Sequence, residues 1–408
     1  MKYTCKTGIF LACVGLLSSG PGFTENLAAE SSPESSSTAP VAYVYVQTHQ
    51  GVDVFDASSE GKLTVVKGSP FATTGQMAGV TASHLLSVGT NELHSYAIDG
   101  GGVVGKQLSE INTQDYAGAD CGNTTNNGAV LDHSGKYLYV QLWAYQSPGN
   151  CAAWQSYKIA SDGDLTFLGN AEYSGYVDGY ATSDSVPTVS GNDKYAYGVA
   201  TSYEEGEGYN FSQFAPFSQG SNGALALDEN FTETDPKPDP NAEGGWNQVL
   251  VAADPSGHLA ALMFEGYPSY DTGNYTKPGP MLLGSYSIGS NGSVKSTNTY
   301  KDMPSPEISG SLLQMSPSGK LLALAGLGIQ IFHFNGASPI TKFSSLILPG
   351  VSIDQLSWDS NNHLYALSYG SDKLYVFTVT STSVDEAAGS PFTVGNAYGT
   401  SGLIVVPK

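Results

Sequence analysis

Arginine is absent. All 16 basic residues are lysines, against 37 aspartates and glutamates, and the formal net charge over 408 residues is −21. No guanidinium can therefore clamp a carboxylate or a phosphate in two-pronged fashion. Neutralising a polyanion takes clustered basic side chains, so nucleic acid is excluded as a partner. Cysteine is scarce as well: of four, Cys5 and Cys13 lie near the N-terminus and only Cys121 and Cys151 lie in the body of the chain. Neither has a histidine at ligand spacing, which argues against a soft-metal site. Long apolar runs are missing too. The run Gly8–Leu17 has ten residues, too few to span a bilayer, so no transmembrane segment is expected. No helical period of useful length recurs. What the chain does have is 49 glycines, 25 tyrosines and abundant Ser, Thr and Asn, a composition of strands and turns.

The N-terminus reads as an export signal. Lys2 and Lys6 precede the short apolar run, and Ala28-Ala29 is a plausible cleavage site. Residues 1–29 are thus expected to be a signal peptide and 30–41, rich in Ser and Pro, a flexible tether. Phe10-Leu11-Ala12-Cys13 faintly resembles a bacterial lipobox, which would anchor the protein through Cys13. Export to the periplasm or the medium is the expectation, with the mature chain a monomer.

From residue 42 onward one unit repeats. An apolar strand leads into a tight polar turn, then a second apolar strand follows. The turns are Asp132-His133-Ser134-Gly135-Lys136, Ser190-Gly191-Asn192-Asp193-Lys194, Asp254-Pro255-Ser256-Gly257-His258, Ser316-Pro317-Ser318-Gly319-Lys320 and Asp359-Ser360-Asn361-Asn362-His363. A third strand, a second turn such as Ser221-Asn222-Gly223, and a fourth strand complete the unit. Second strands start near 43, 85, 137, 195, 259, 321 and 364. Seven four-stranded units predict an all-β, seven-bladed β-propeller over 42–408. The first unit opens at its second strand, while Gly402–Pro407 reads as an isolated first strand. The C-terminal strand is therefore expected to close the ring in the N-terminal blade.

Gly61–Phe71 (GKLTVVKGSPF) and Ala388–Phe392 (AGSPF) resemble the fourth-strand signature of the seven-bladed lactonase-like propellers, a family that includes propeller-type 6-phosphogluconolactonases and muconate-cyclising enzymes. The S-P-S-G-K and D-P-S-G turns fit the same family. The resemblance covers about 42–408 and implies the fold. It also implies a lactonase-type activity, for which the family's enzymes use an inward histidine, a carboxylate and arginines. This chain lacks the arginines, and no expected inner strand carries a histidine. His133, His258 and His363 sit in the repeated turns, where a hydrogen-bonding surface role is the plain reading; His333 reads as packed in a strand, and His84 and His94 flank a hairpin.

Propeller geometry puts the two-to-three and four-to-one connections on one face. Here they are long: 141–153, 201–210 and 265–280, with 109–127, 171–186 and 228–247. Blades three to five thus carry Trp143, Tyr145, Tyr176, Tyr180, Tyr203, Glu205, Tyr209, Trp246, Tyr267, Tyr270 and Asp271 on that face as candidate ligand-binding residues. Rings that stack on C–H faces and carboxylates that accept hydroxyl protons suit a carbohydrate or another small neutral molecule; a protein partner is the other occupant. The bland alternative is that these tyrosines merely pack the loops. Glu204, Glu205 and Glu207 with Asp184 or Asp271 could hold Ca2+ through oxygen, although the spacing is not that of an EF-hand; no other cofactor is indicated. Asp235–Pro240 reads as a rigid proline-rich spacer. Three functions follow: a ligand- or partner-binding scaffold without catalysis, a lactonase-type hydrolase of a neutral lactone or sugar, and a structural envelope protein.

Two cysteines in an exported chain most simply pair, so Cys121 and Cys151 are expected to form a disulfide closing a loop of about 30 residues, worth about 3–4 kcal/mol in the chain-entropy picture. Thiol labelling of the unfolded, unreduced mature protein checks this: no label is expected, and two labelled cysteines would rule the bridge out.

Overall fold

The computed structural model describes residues 39–113, 125–145, 150–172, 181–183, 187–204, 209–242, 244–266 and 279–408; side chains at 125–127, 142–145, 150–152, 172, 181–183, 201–204 and 209–211 are outside the description. Cys121 lies outside it altogether, and of Cys151 only the backbone, in the strand Asn150–Ile159, is inside.

The repeated turns form as their side chains dictate. The first residue accepts hydrogen bonds from backbone amides across the turn: Asp132 Oδ1 takes Lys136 and Tyr137 at 2.9 Å each, Asp254 Oδ1 takes His258 at 2.7 Å, Asp359 Oδ1 takes His363 at 2.8 Å, and Ser316 Oγ takes Leu321 at 3.1 Å. The fourth residue has positive φ. Glycine fills it in three turns, but Asp193 (58°) and Asn362 (61°) fill it in two, both types that tolerate the left-handed region. Each turn thereby reverses the chain within five residues and starts an inward-to-outward meander.

Seven antiparallel sheets result. Their innermost strands are Leu403–Pro407, Gln76–Val80, Thr125–Leu131, Thr188–Val189, Gly245–Ala253, Gly310–Met315 and Gln355–Trp358. Each contacts the innermost strand of the next blade, and the last contacts the first, which closes a ring. Second strands begin at Ala42, His84, Tyr137, Tyr195, His258, Leu321 and His363, within a residue of the positions read from the repeat. The chain is a seven-bladed β-propeller. The core is seven apolar clusters, one at each seam between neighbouring blades.

Three expectations need correction. The connections of blades three and four are shorter than the sequence suggested, because the strands Tyr137–Tyr145, Asn150–Ile159, Tyr195–Glu204 and Tyr209–Gln219 run further out. The aromatic residues there have strong strand propensity and extend the hairpins rather than line loops. In blade six the second and third strands form one span, Leu321–Asn335, in which the Phe334 amide donates back to the Lys320 carbonyl at 2.9 Å. The proline-rich stretch is not a free spacer: Glu233–Thr234 pairs in parallel with Val294–Lys295, and Lys237 bridges to Thr299, so it covers the outer edge of blade five.

The closing strand pairs with Ala42–Thr48 from Ala42↔Pro407 to Val46↔Leu403. Leu403 and Val405 are buried in the seam between the last and first blades. A chain ending at Ser401 loses their burial, about 3–6 kcal/mol, and leaves the inner edge of Ala42–Thr48 unpaired. Calorimetry of the truncated chain should show a lower melting temperature or aggregation; a wild-type melt would contradict the pairing.

Candidate functional site

The seven innermost strands enclose a central channel of about 590 Å³. Its wall is uncharged, because inner-strand residues facing it are small, aliphatic, or neutral hydrogen-bonding groups such as Thr188, Ser311, Gln314, Gln355, Ser357 and Ser401. Among the described residues that line it, His133 alone is ionisable. It stands at the rim, on the first repeated turn. Its Nδ1 lies 2.8 Å from Oδ1 of Asp193, which belongs to the equivalent turn of the next blade. Asp193 also accepts the His133 amide at 2.8 Å and the Ser134 amide at 3.2 Å. A carboxylate only accepts, so it fixes the proton on Nδ1 and leaves the Nε2 lone pair free. The imidazole is about half exposed. Geometrically this is an oriented general base at the mouth of a neutral cavity.

The other turn histidines differ. His363 is 1% exposed, with Nδ1 2.6 Å from Asp359 Oδ2, and His258 is partly buried against Asp254 at 3.1 Å. The reading of His363 as a surface residue is thus wrong: its ring is sealed in a seam. Burial raises the carboxyl of Asp359, but hydrogen bonds from the His363 ring and amide outweigh this and hold it below its ordinary value. His333 is packed on Phe343, with ring centroids 4.5 Å apart, as expected.

A second cluster lies in blade five, on the connection that leads into it. Glu233 and Asp235, two apart on an extended segment, share a face. Gln248, on the innermost strand, donates Nε2 to Glu233 Oε1 at 2.6 Å and to Asp235 Oδ1 at 3.2 Å; Tyr286, on the third strand, donates its hydroxyl to the same Asp235 oxygen at 3.0 Å. Burial first, then the hydrogen bond and charge of Asp235, push the Glu233 carboxyl up to about 10. Sequence reading passed over this pair because prolines dominate the segment; the E-T-D alternation was the available signal.

The anticipated ligand-binding residues divide. Tyr176, Tyr180, Glu205, Tyr267, Tyr270 and Asp271 lie outside the described residues. Trp143, Tyr145, Tyr203 and Tyr209 sit at the same end of the hairpins of blades three and four, with Trp143 opposite Thr125 and Tyr209 opposite Glu204. Trp246 is partly buried and donates its indole N–H to the Pro236 carbonyl at 2.8 Å, packing against the seam of blades four and five. No group of three or more potential metal ligands among His, Cys, Asp and Glu occurs among the described residues.

Comparison with solved structures follows this geometry. A periplasmic gluconolactonase of Pseudomonas aeruginosa superimposes with a TM-score of 0.52 at 14% identity, covering 90% of this chain and 99% of that one. What the two chains share is the fold, a β-propeller. A Lactobacillus plantarum protein gives 0.54 at 13% identity over 87% of this chain and 97% of its own, and a candidate 6-phosphogluconolactonase from Bacteroides uniformis gives 0.52 at 13% over 90% and 99%. No family profile matches the sequence, nor does any curated protein. The chain has no helix among its described residues long and apolar enough to cross a membrane.

The acid pair makes stability depend on pH. Glu233 binds its proton more tightly when folded than at its ordinary value of 4.5, so its contribution is complete below that value and is lost as pH rises through about 10. Glu233→Gln, which carries no titrating proton, should melt like wild type at about pH 4 and above it at about pH 9 in chelator-treated buffer. Thermal melts across that range check this; a constant difference between the two proteins would contradict it.

Proposed function

We propose that the protein is an exported hydrolase of lactonase type that opens a neutral lactone or sugar lactone in the central channel. The observation that carries this reading is the His133–Asp193 pair at the rim of an otherwise uncharged cavity. Nε2 of His133 takes a proton from water as the water oxygen attacks the lactone carbonyl carbon. The tetrahedral intermediate collapses, the ring C–O bond breaks, and the departing alkoxide recovers the proton from the imidazolium, giving a hydroxy acid. Asp193 keeps the tautomer and stabilises the transient cation, while channel hydroxyls and amides supply donors for the carbonyl oxygen. A neutral substrate fits a chain of net charge −21 without arginine, and a phosphorylated one meets repulsion with no cation in the wall. The similarity to a periplasmic gluconolactonase supports the same reaction class and the same compartment.

The test is hydrolysis of unphosphorylated gluconolactone above its spontaneous rate. His133→Gln and Asp193→Asn should each lower the rate, by about 10²–10⁴-fold for the histidine, with little change in melting. 6-Phosphogluconolactone should not be turned over. Full activity in His133→Gln would overturn the assignment of the base, and efficient turnover of the phosphate would overturn the substrate class. An absence of any lactone hydrolysis, with sugar binding retained, would favour the ligand-binding scaffold on the faces of blades three to five.

A further inference from the structure

The cluster around Glu233 stands apart from the channel and takes no part in the chemistry above. Its parts come from three elements: the connection entering blade five supplies Glu233 and Asp235, the innermost strand supplies Gln248, and the third strand supplies Tyr286. Gln248 is 1% exposed, and its Nε2 holds both carboxyls within 2.6 and 3.2 Å. Its Oε1, the other prong of the same amide, is buried and has no hydrogen-bond partner. A bare buried acceptor of this kind calls for water or an ion. Two carboxyls converge on one amide with no lysine paired to them: the lysine–carboxylate ion pair among the described residues is Lys342–Glu307, in another blade, and a cation entering here would displace the proton that Glu233 holds. Asp235 is exposed, so solvent and ions reach the cluster from outside.

We propose that Glu233, Asp235 and Gln248 form a binding site for a hard divalent cation, Ca2+ by preference, which ties the connection from blade four to the first and third strands of blade five. The donors are all oxygen: two carboxylates, the orphaned amide carbonyl and the Tyr286 hydroxyl nearby, with water completing the shell from the Asp235 side. No sulfur or imidazole is present to favour zinc or copper. The high negative charge of the chain raises the local concentration of any cation.

Protein stripped with a chelator is titrated with Ca2+, followed by calorimetric binding and thermal melting, with Mg2+ as comparator. The expected result is saturable binding that raises the melting temperature, weaker with Mg2+, and an affinity reduced roughly tenfold or more in Asp235→Asn and in Glu233→Gln. Asp235→Asn keeps an oxygen that accepts from Gln248 and Tyr286, and a metal-free melt like that of the wild type shows that its folding is intact. A wild-type melt indifferent to millimolar Ca2+ would overturn the proposal. So would an unchanged Ca2+ response in the double variant, because the ion would then sit elsewhere on an acidic surface.

Discussion

The ring depends on one contact made over and over between neighbouring blades. A residue at the start of the second strand of a blade, its first or second position, packs its ring against the glycine in the outer turn of the next blade. Tyr43 meets Gly102, Tyr137 meets Gly223, Tyr195 meets Gly292, His258 meets Gly336 and His363 meets Gly61. The approach is so close that a Cβ on Gly223 would fall 2.0 Å from the Tyr137 ring, and one on Gly292 would fall 2.6 Å from Tyr195. One turn further in, tyrosine hydroxyls cross the same seams to backbone carbonyls: Tyr45 to Gly102 at 3.3 Å, Tyr139 to Gly223 at 3.2 Å and Tyr197 to Gly292 at 2.7 Å. Burial raises the pKa of all three phenols, so they remain donors. Blade-to-blade register is thus set by a ring on a bare backbone and a hydroxyl on its carbonyl.

The same contact sorts the histidines. His84, His258 and His363 occupy the strand-opening position that tyrosine holds in blades one, three and four. They are seam residues, and for His258 and His363 a turn aspartate four residues earlier holds Nδ1. His133 sits outside this pattern. It lies within the turn, not at the strand start, and its aspartate comes from the next blade. That exception puts an oriented imidazole at the channel rim instead of inside a seam.

The repeat was legible in the sequence because its causes are local. A capping Asp or Ser, a positive-φ residue three positions on, and an apolar strand recur in five turns, and counting the second strands yields seven blades and the closing strand. What escaped reading depends on distant partners. His133 reads as a surface turn residue until Asp193, 60 positions away, is brought against it by ring closure. Glu233 and Asp235 read as flanks of a proline-rich spacer until Gln248 and Tyr286 meet them from two strands of blade five. The aromatic wealth near 143, 203 and 209 was visible, but strand propensity carries part of it into hairpin ends, where sequence alone assigns loops.

The distribution of charge links these features. The inner strands pack against one another around the channel, and the described residues that line it are uncharged apart from the His133 imidazole at the rim. The acidic groups, with few lysines to balance them, are displaced to turns, outer strands and connections. There, two carboxyls driven together raise the proton affinity of Glu233, and an aspartate fixes the proton of the imidazole at the channel rim. Two of these electrostatic features therefore lie at the channel rim and in blade five, outside the neutral channel. A neutral ligand can enter such a channel without losing strong hydration, and an anionic one cannot.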